Sequence, residues 1–340
     1  MPVETDLLLL EPPAGGAIQR GGWMALPDDD PLAGYLAAQY ENRIGQPSVW
    51  EAARLSQAAY IYRERTSGWA VVAKFYTSKT GQDADQHARR EFAVTQQARA
   101  AGLNTADCRA LEPLGVWRGV LILEYVDGLT LEDVIAVRRH RPGELLPALE
   151  RAAILLATLH AHSVRVDMTP DPARDIRYAR KLVDQLARWG VLEGNQLVCD
   201  GINNLIDRWA ASRVLAEYTP TLIHGDATTT NLVFPWSGGV VGIDWERLKV
   251  SDPAADLGRL MAEVSHSIHN HGGNVAEAIP LVEHLAAAYC QARPCEPGFE
   301  SRLRFHRASS TLRIARNGWV SRLDRMALVA EALALFARCG

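Results

Sequence analysis

Apolar and polar positions alternate over the first part of the chain and later settle into helical spacing, so a strand-rich segment precedes a helical one. Trp50 to Leu55, Ala59 to Arg65 and Trp69 to Tyr76 read as strands, and the turn Thr66-Ser67-Gly68 joins the last two into a meander. Leu114 to Trp117 and Val120 to Val126 add two strands around an Arg118-Gly119 turn. Between the groups, Asp83 to Ala101 is alanine-rich and free of glycine and proline, which predicts a helix that Gly102 ends. Ahead of the first strand, Leu32, Tyr35, Leu36 and Tyr40 stand at helical spacing within Pro31 to Arg43 and predict a short amphipathic helix on the back of this lobe.

Past Asp127-Gly128 the pattern changes. Leu145 to His160 is apolar on nearly every face and predicts a central buried helix. Helical spacing resumes over Arg174 to Trp189 and Ile202 to Glu217, two short strands bracket Asn231 and Asp244, and helices fill the remainder. The expected organisation is an arm with a short helix over 1–47, a β-rich lobe over 48–127 and a helical lobe over 128–340. Residues 1 to about 30 mix prolines, glycines and the acidic run Asp28 to Asp30, the composition of a loosely held segment.

Composition narrows the classes. A formal charge of -4 supplies no overall basic field, so nucleic acid is not an expected partner. The 5 cysteines are odd in number and form no C-x-x-C pair, which argues against a disulfide framework or zinc knuckle and for a reducing cytoplasm. The apolar run Leu7 to Leu10 has no basic residue before it and stops at Glu11, unlike a secretion signal. No run approaches the roughly 18 apolar residues of a membrane span, so the protein is expected to be cytoplasmic and off the membrane.

The chemistry concentrates between Leu222 and Leu260. Phosphoryl transfer needs a carboxylate to orient and deprotonate the attacking hydroxyl, and an amide plus a second carboxylate to hold magnesium on the phosphates. Asp226, Asn231 and Asp244 are the residue types required, and His224-Gly225-Asp226 to Asn231 has the spacing of H-R-D-x-x-x-x-N with glycine in place of arginine. The strand Val240 to Ile243 ends on Asp244, where a short oxygen ligand is free of the ladder. Each residue alone is as well explained by a turn cap or strand end. All three at these intervals are not. Upstream, Val71-Val72-Ala73-Lys74 parallels the V-A-I-K strand that carries a phosphate-binding lysine, and Glu91, on a helix face with Ala88, Thr95 and Ala98, is its expected ion-pair partner.

The HGD motif with Asn231 at the fifth position, the IDWE run and DPAADLGRL resemble the aminoglycoside phosphotransferase and choline kinase family, over roughly residues 48 to 330. The resemblance implies an α+β, two-lobed protein-kinase-like fold: a small antiparallel β lobe with one helix, and a larger mainly helical lobe. It implies an ATP-dependent kinase in which Asp226 is the catalytic base and Asn231 and Asp244 hold Mg2+. His224, Asp252 and Asp256 would brace the catalytic loop. Lys74, with Glu91, would hold the nucleotide phosphates, and the backbone of Glu124, Tyr125 and Val126 would face the adenine. Where other kinases carry a glycine-rich loop, this chain has Ser56-Gln57-Ala58, and Ser56 with nearby N–H groups is the expected phosphate contact.

Only eight positions separate Asp244 from Asp252, too few for a peptide platform, so a small hydroxylated molecule is the expected acceptor. A peptide Ser/Thr kinase and a non-catalytic nucleotide-binding scaffold remain the alternatives. The basic stretch with Arg302, Arg304, Arg307, Arg313, Arg316, Arg322 and Arg325 would disfavour a polycationic acceptor if it faced the site, but such faces are usually solvated. His266, His269 and His271 lack a cysteine or carboxylate to complete a zinc set and read as a loop near the acceptor entrance.

Overall fold

A computed structural model describes residues 22–44, 48–76, 81–188, 192 and 196–338. The chain opens with β1 (Trp23–Ala25), α1 (Pro31–Gln39), β2 (Trp50–Arg54), β3 (Ala59–Glu64), β4 (Ala70–Phe75) and α2 (Gly81–Ala100). Next come β5 (Cys108–Ala110), β6 (Pro113–Trp117), β7 (Val120–Glu124), β8 (Gly128–Thr130), α3 (Leu131–Val137) and α4 (Leu145–His162). The remainder is α5 (Pro172–Arg188), α6 (Gln196–Ala211), β9 (Thr221–Ile223), β10 (Leu232–Pro235), β11 (Val240–Gly242), β12 (Lys249–Ser251), α7 (Ala254–Asn270), α8 (Val275–Ala292), α9 (Phe299–Ala315) and α10 (Arg322–Ala337). The class is the mixed α+β one expected. The chain divides into two compact units, one drawn from Met1–Arg99 and Ala110–Asp127, the other from Ala100–Arg109 and Gly128–Gly340.

The first unit is built on a six-stranded sheet of order β1-β2-β3-β4-β7-β6, each neighbour antiparallel. Along β4, Val71, Ala73 and Phe75 are buried, as the two-residue period of a strand requires, and Lys74 belongs to the opposite face. Asp30 caps α1 by accepting from the Ala33 N–H at 2.8 Å, and Pro31 supplies a pre-set first turn. Leu32 and Leu36 of α1 then pack with Tyr62, Val71 and Ile122, and Tyr35 stacks on Trp117 at 4.6 Å. β1 was not expected. It lies in the stretch read as a loose arm and pairs with β2 from Trp23 to Ala25, too short a run to show alternation. The rest of that arm, residues 1–21, lies outside the described residues, as does Cys339.

In the second unit α4 is buried on most sides, and α5, α6, α9 and α10 enclose a core around Trp209, Phe305 and Phe336. Trp209 donates its ring N–H to the Phe336 carbonyl at 2.9 Å, which satisfies the one polar atom of that buried side chain. A sheet of order β5-β11-β10-β8 and the antiparallel pair β9–β12 carry the loops of interest. β5, β8 and β12, each of three residues, were also missed. One cysteine reading is corrected: Cys290 and Cys295 are joined as a disulfide with Cα atoms 5.4 Å apart, because the turn out of α8 folds a C-x4-C pair back on itself. No helix among the described residues is long and apolar enough to cross a membrane.

Candidate active site

The segment His224 to Asn231 leaves β9 and is held from below by one carboxylate. Asp256, in the first turns of α7, accepts from the His224 N–H at 2.6 Å on Oδ2 and from the Gly225 N–H at 2.9 Å on Oδ1. His160 Nε2 lies 3.2 Å from the same Oδ2, and its Nδ1 meets the Tyr289 hydroxyl at 2.8 Å, so the network runs from α8 through α4 to the loop. Burial would raise the Asp256 carboxyl, but the His160 hydrogen bond, the neighbouring imidazoles and the Gly225 N–H more than offset it and hold the group below its ordinary value. Gly225 has φ +75°, and a Cβ there would run into the Arg247 carbonyl, which explains glycine where the kinase motif has arginine.

The loop closes on itself. The Asn231 amide donates to the Asp226 carbonyl at 3.0 Å, and the Asn231 carbonyl accepts from the Ile243 N–H at 3.0 Å. With Leu232 opposite Gly242 in the β10–β11 register, Asn231 and Asp244 stand at the same end of that hairpin. Asp244 adopts φ 61° and ψ 61°, a left-handed conformation uncommon outside glycine and tolerated by Asp better than by most. The next residue anchors it: Trp245 donates to the Gly242 carbonyl at 2.8 Å and its ring lies 4.3 Å from that of His224, whose Nε2 is 3.0 Å from the Ile243 carbonyl.

Asp226 itself is met by arginines. Arg259 Nη2 lies 2.7 Å and Arg313 Nη2 3.1 Å from Oδ1, and Arg247 Nε lies 3.5 Å from Oδ2. Arg259 also reaches Glu263, one helical turn on, at 3.2 Å. Gly258 makes this possible: α7 and α9 approach so closely there that a Cβ would come within 2.7 Å of the Arg307 nitrogen. The closeness brings Arg259 of α7 and Arg313 of α9 to one carboxylate. The sequence pattern gives Arg313 only a place in a solvated basic stretch and gives Arg259 no role. The available signal was Arg259 inside the apolar run Leu257 to Met261, since a charge on a buried helix face demands a partner.

A second buried node fixes the start of α7. Asp252 accepts from the Ala254 N–H at 2.9 Å, Arg302 Nε lies 3.0 Å from Oδ2, and His306 Nε2 lies 3.3 Å from the same oxygen. Arg302 is fully buried and donates to the Glu217 carbonyl at 2.6 Å, so this arginine too is structural rather than solvated. The three histidines His266, His269 and His271 take different partners. His266 packs against Trp319 at 5.4 Å, His269 meets Asp324 at 2.9 Å, and His271 meets Glu132 at 3.0 Å.

In the first unit, Lys74 Nζ lies 2.8 Å from Glu91 Oε2, and the Tyr76 hydroxyl reaches the same oxygen. The pairing follows from periodicity: Ala84, Ala88, Glu91, Thr95 and Ala98 form one buried face of α2, which sets Glu91 among alanines. Ser56 is exposed in the β2–β3 turn, where its hydroxyl accepts from the Ala58 and Ala59 N–H groups at 3.3 and 3.1 Å. Glu124 ends β7 and accepts from the Glu112 N–H at 2.5 Å, while Tyr125 is exposed and Val126 half-buried.

The model of the phosphotransferase enzyme family matches residues 52–302. No curated protein sequence matches the chain. Among solved structures, the ADP-bound aminoglycoside phosphotransferase APH(2'')-Ib is 15% identical, with 90% of this chain and 97% of that chain covered at a TM-score of 0.56. A macrolide 2'-phosphotransferase of type I is 16% identical, with coverage of 92% and 98% and a TM-score of 0.54. The choline kinase LicA from Streptococcus pneumoniae is 15% identical, with coverage of 90% and 97% and a TM-score of 0.51. At these identities the likeness is one of fold, and it is the kinase-like fold expected.

Proposed function

The chain belongs to the phosphotransferase enzyme family, and from that premise we propose that it moves the γ-phosphoryl group of ATP to a hydroxyl of a small molecule. The observation that carries this reading is the Asp256-braced loop, which fixes Asp226 and Asn231 together beside Asp244. Asp226 takes the proton from the acceptor hydroxyl as its oxygen bonds to the γ-phosphorus; the bond from that phosphorus to the bridging oxygen breaks, and ADP leaves with the electron pair. Arg259 and Arg313 fix the direction of the Asp226 carboxylate through Oδ1.

Asn231 and Asp244 offer an amide and a carboxylate oxygen, the hard donors a magnesium ion prefers, and the Asn231 NH2, engaged with the Asp226 carbonyl, turns the amide oxygen the other way. They are the residues that would hold Mg2+, whose charge offsets that of the phosphates when bound. Lys74, directed by Glu91, is the anchor for the nucleotide phosphates. Ser56, and the backbone of Glu124, Tyr125 and Val126, are the further nucleotide contacts of this reading.

A small acceptor is favoured over a peptide. The stretch after Asp244 is taken up by a turn of 3-10 helix and by β12, which pairs with β9, so it has no length left for a peptide-binding segment. The test is ADP release by wild type and Asp226→Asn, with magnesium, across hydroxylated metabolites, sugars, aminoglycosides and peptides. Acceptor-dependent turnover that the variant loses supports the reading. Turnover that Asp226→Asn retains removes Asp226 as the base, and nucleotide binding without turnover on any acceptor favours a scaffold.

A further inference from the structure

The charges around Asp226 reach further, on the premise that Asp226 meets the acceptor hydroxyl. Arg259 and Arg313 both aim at one oxygen of Asp226, and Arg247 faces the other. A guanidinium carries five N–H donors, so Arg259 and Arg313 together bring more donors than Asp226 and Glu263 can accept. Arg259 is 8% exposed, and its Nε has no hydrogen-bond partner among the described residues. A buried donor without an acceptor is a standing cost that a ligand oxygen would remove.

The counter-charges nearby are Glu263, Glu246 and Glu132, the last accepting from Thr229 of the same loop. Glu263 is the buried carboxyl beside Arg259, 3.2 Å from its Nη2, and burial pushes it up, more than the adjoining arginines pull it down. Glu246, 3.7 Å from Arg247, is exposed, and its carboxylate lies within 4.8 Å of that of Asp244. Tyr178 of α5 lies within electrostatic reach of Arg259. On the Oδ1 side of Asp226, a charged group beside the acceptor hydroxyl would meet the guanidinium groups of Arg259 and Arg313 first.

We infer that the acceptor is an anion: a hydroxylated molecule with a carboxylate or phosphate close to the hydroxyl that is phosphorylated, taken bidentately by Arg259 and Arg313. The planar forks of arginine suit either group. When the acceptor seats, its anionic group takes arginine donors that Asp226 leaves unused, Arg259 Nε among them, and the Asp226 carboxylate stays directed at its hydroxyl.

The experiment uses two matched series with the full chain: glycerate, glycerol 3-phosphate, glycerol and 2-aminoethanol; and gluconate, glucose 6-phosphate, glucose and glucosamine. Binding is read by calorimetry and turnover by ADP release, on wild type, Arg313→Gln, Arg313→Lys and Asp226→Asn. In at least one series an anionic member should bind or turn over better than its neutral and cationic partners by roughly tenfold or more, the size of a charge-assisted pair. Arg313→Gln should erase that preference while melting like wild type, and Arg313→Lys should keep part of it. The carboxylate and phosphate arms identify which anion is read.

Preference for neutral or cationic members, or an anion preference that Arg313→Gln leaves intact, overturns the inference. So does the absence of any anion binding stronger than that of the neutral partner. The first of these with Asp226-dependent turnover would leave the kinase reading standing. Anion binding that depends on Arg313, without Asp226-dependent turnover of any member, would sink the kinase reading and leave the anion site in place.

Discussion

Replacing Asp256 with asparagine alters one charge at a position that is 1% exposed. The carboxylate serves two backbone donors at once, His224 N–H at 2.6 Å and Gly225 N–H at 2.9 Å, one on each oxygen. Asparagine has one oxygen and one NH2, so whichever way it turns, one of those N–H groups faces another donor. A buried donor left without an acceptor costs about 1–3 kcal/mol, and a bond to a charged group is worth about 1.5–3 kcal/mol against about 1 kcal/mol for a neutral one. The sum is about 3 kcal/mol, or roughly a hundredfold in the equilibrium between closed and open loop. Hydrogen exchange followed by mass spectrometry on the peptide spanning β9 to Asn231 reads that equilibrium locally. Protection there should fall roughly a hundredfold, while peptides of the α5–α6 core keep theirs, and kcat should drop because Asp226 rides on the loop. Wild-type protection and wild-type kcat in Asp256→Asn would refute the bracing argument.

Three further outcomes follow from other nodes. Arg302→Met strands Asp252, 1% exposed, with only His306 to offset its charge, and should lower stability by about 3–5 kcal/mol and the melting temperature by roughly 6–20 °C; a shift within a degree or two contradicts it. Burial raises Asp252, but His306 and Arg302 hold it below its ordinary 3.8; burial lowers His306, but Asp252 holds it above its ordinary 6.5. The Asp252 contribution is therefore complete above 3.8 and lost as pH falls through the lower folded value, while the His306 contribution is complete below 6.5 and lost as pH rises through the higher one. Melting temperature should peak between those values and decline on both sides, with His306→Gln flattening the alkaline limb; a profile that still climbs toward about pH 9 opposes the assignment. Lys74→Met should weaken ATP binding roughly tenfold to a hundredfold by calorimetry, as loss of a charge-assisted contact requires, and unchanged affinity would remove Lys74 from the phosphate site.

Much of the architecture was legible because its signals are local. The alternation over Ala59 to Arg65 and Trp69 to Tyr76 marked two strands, and the helical face of Ala88, Glu91, Thr95 and Ala98 set Glu91 against Lys74. The spacing from Asp226 to Asn231 was readable for the same reason: one loop carries both. Three-residue strands such as β1 and β12 were not, since so short a run has no period to detect. The arginines at Asp226 were hidden by distance along the chain, with Arg313 standing 87 positions away. Their convergence depends on Gly258 letting two helices touch, a packing property that no window of sequence contains. Arg302 reads as a solvated arginine in the sequence for a related reason, because Asp252, the buried partner that makes its burial tolerable, comes from another segment.

The most direct test of the central claim follows radiolabel from the γ-phosphate of ATP into an acceptor, with magnesium, by wild type and by Asp226→Asn of matching thermal stability. Label should appear as a phosphate ester on an acceptor with wild type and fall by roughly a hundredfold or more with the variant, as expected for removal of a general base. Label transfer that survives in Asp226→Asn at the wild-type rate would contradict the account.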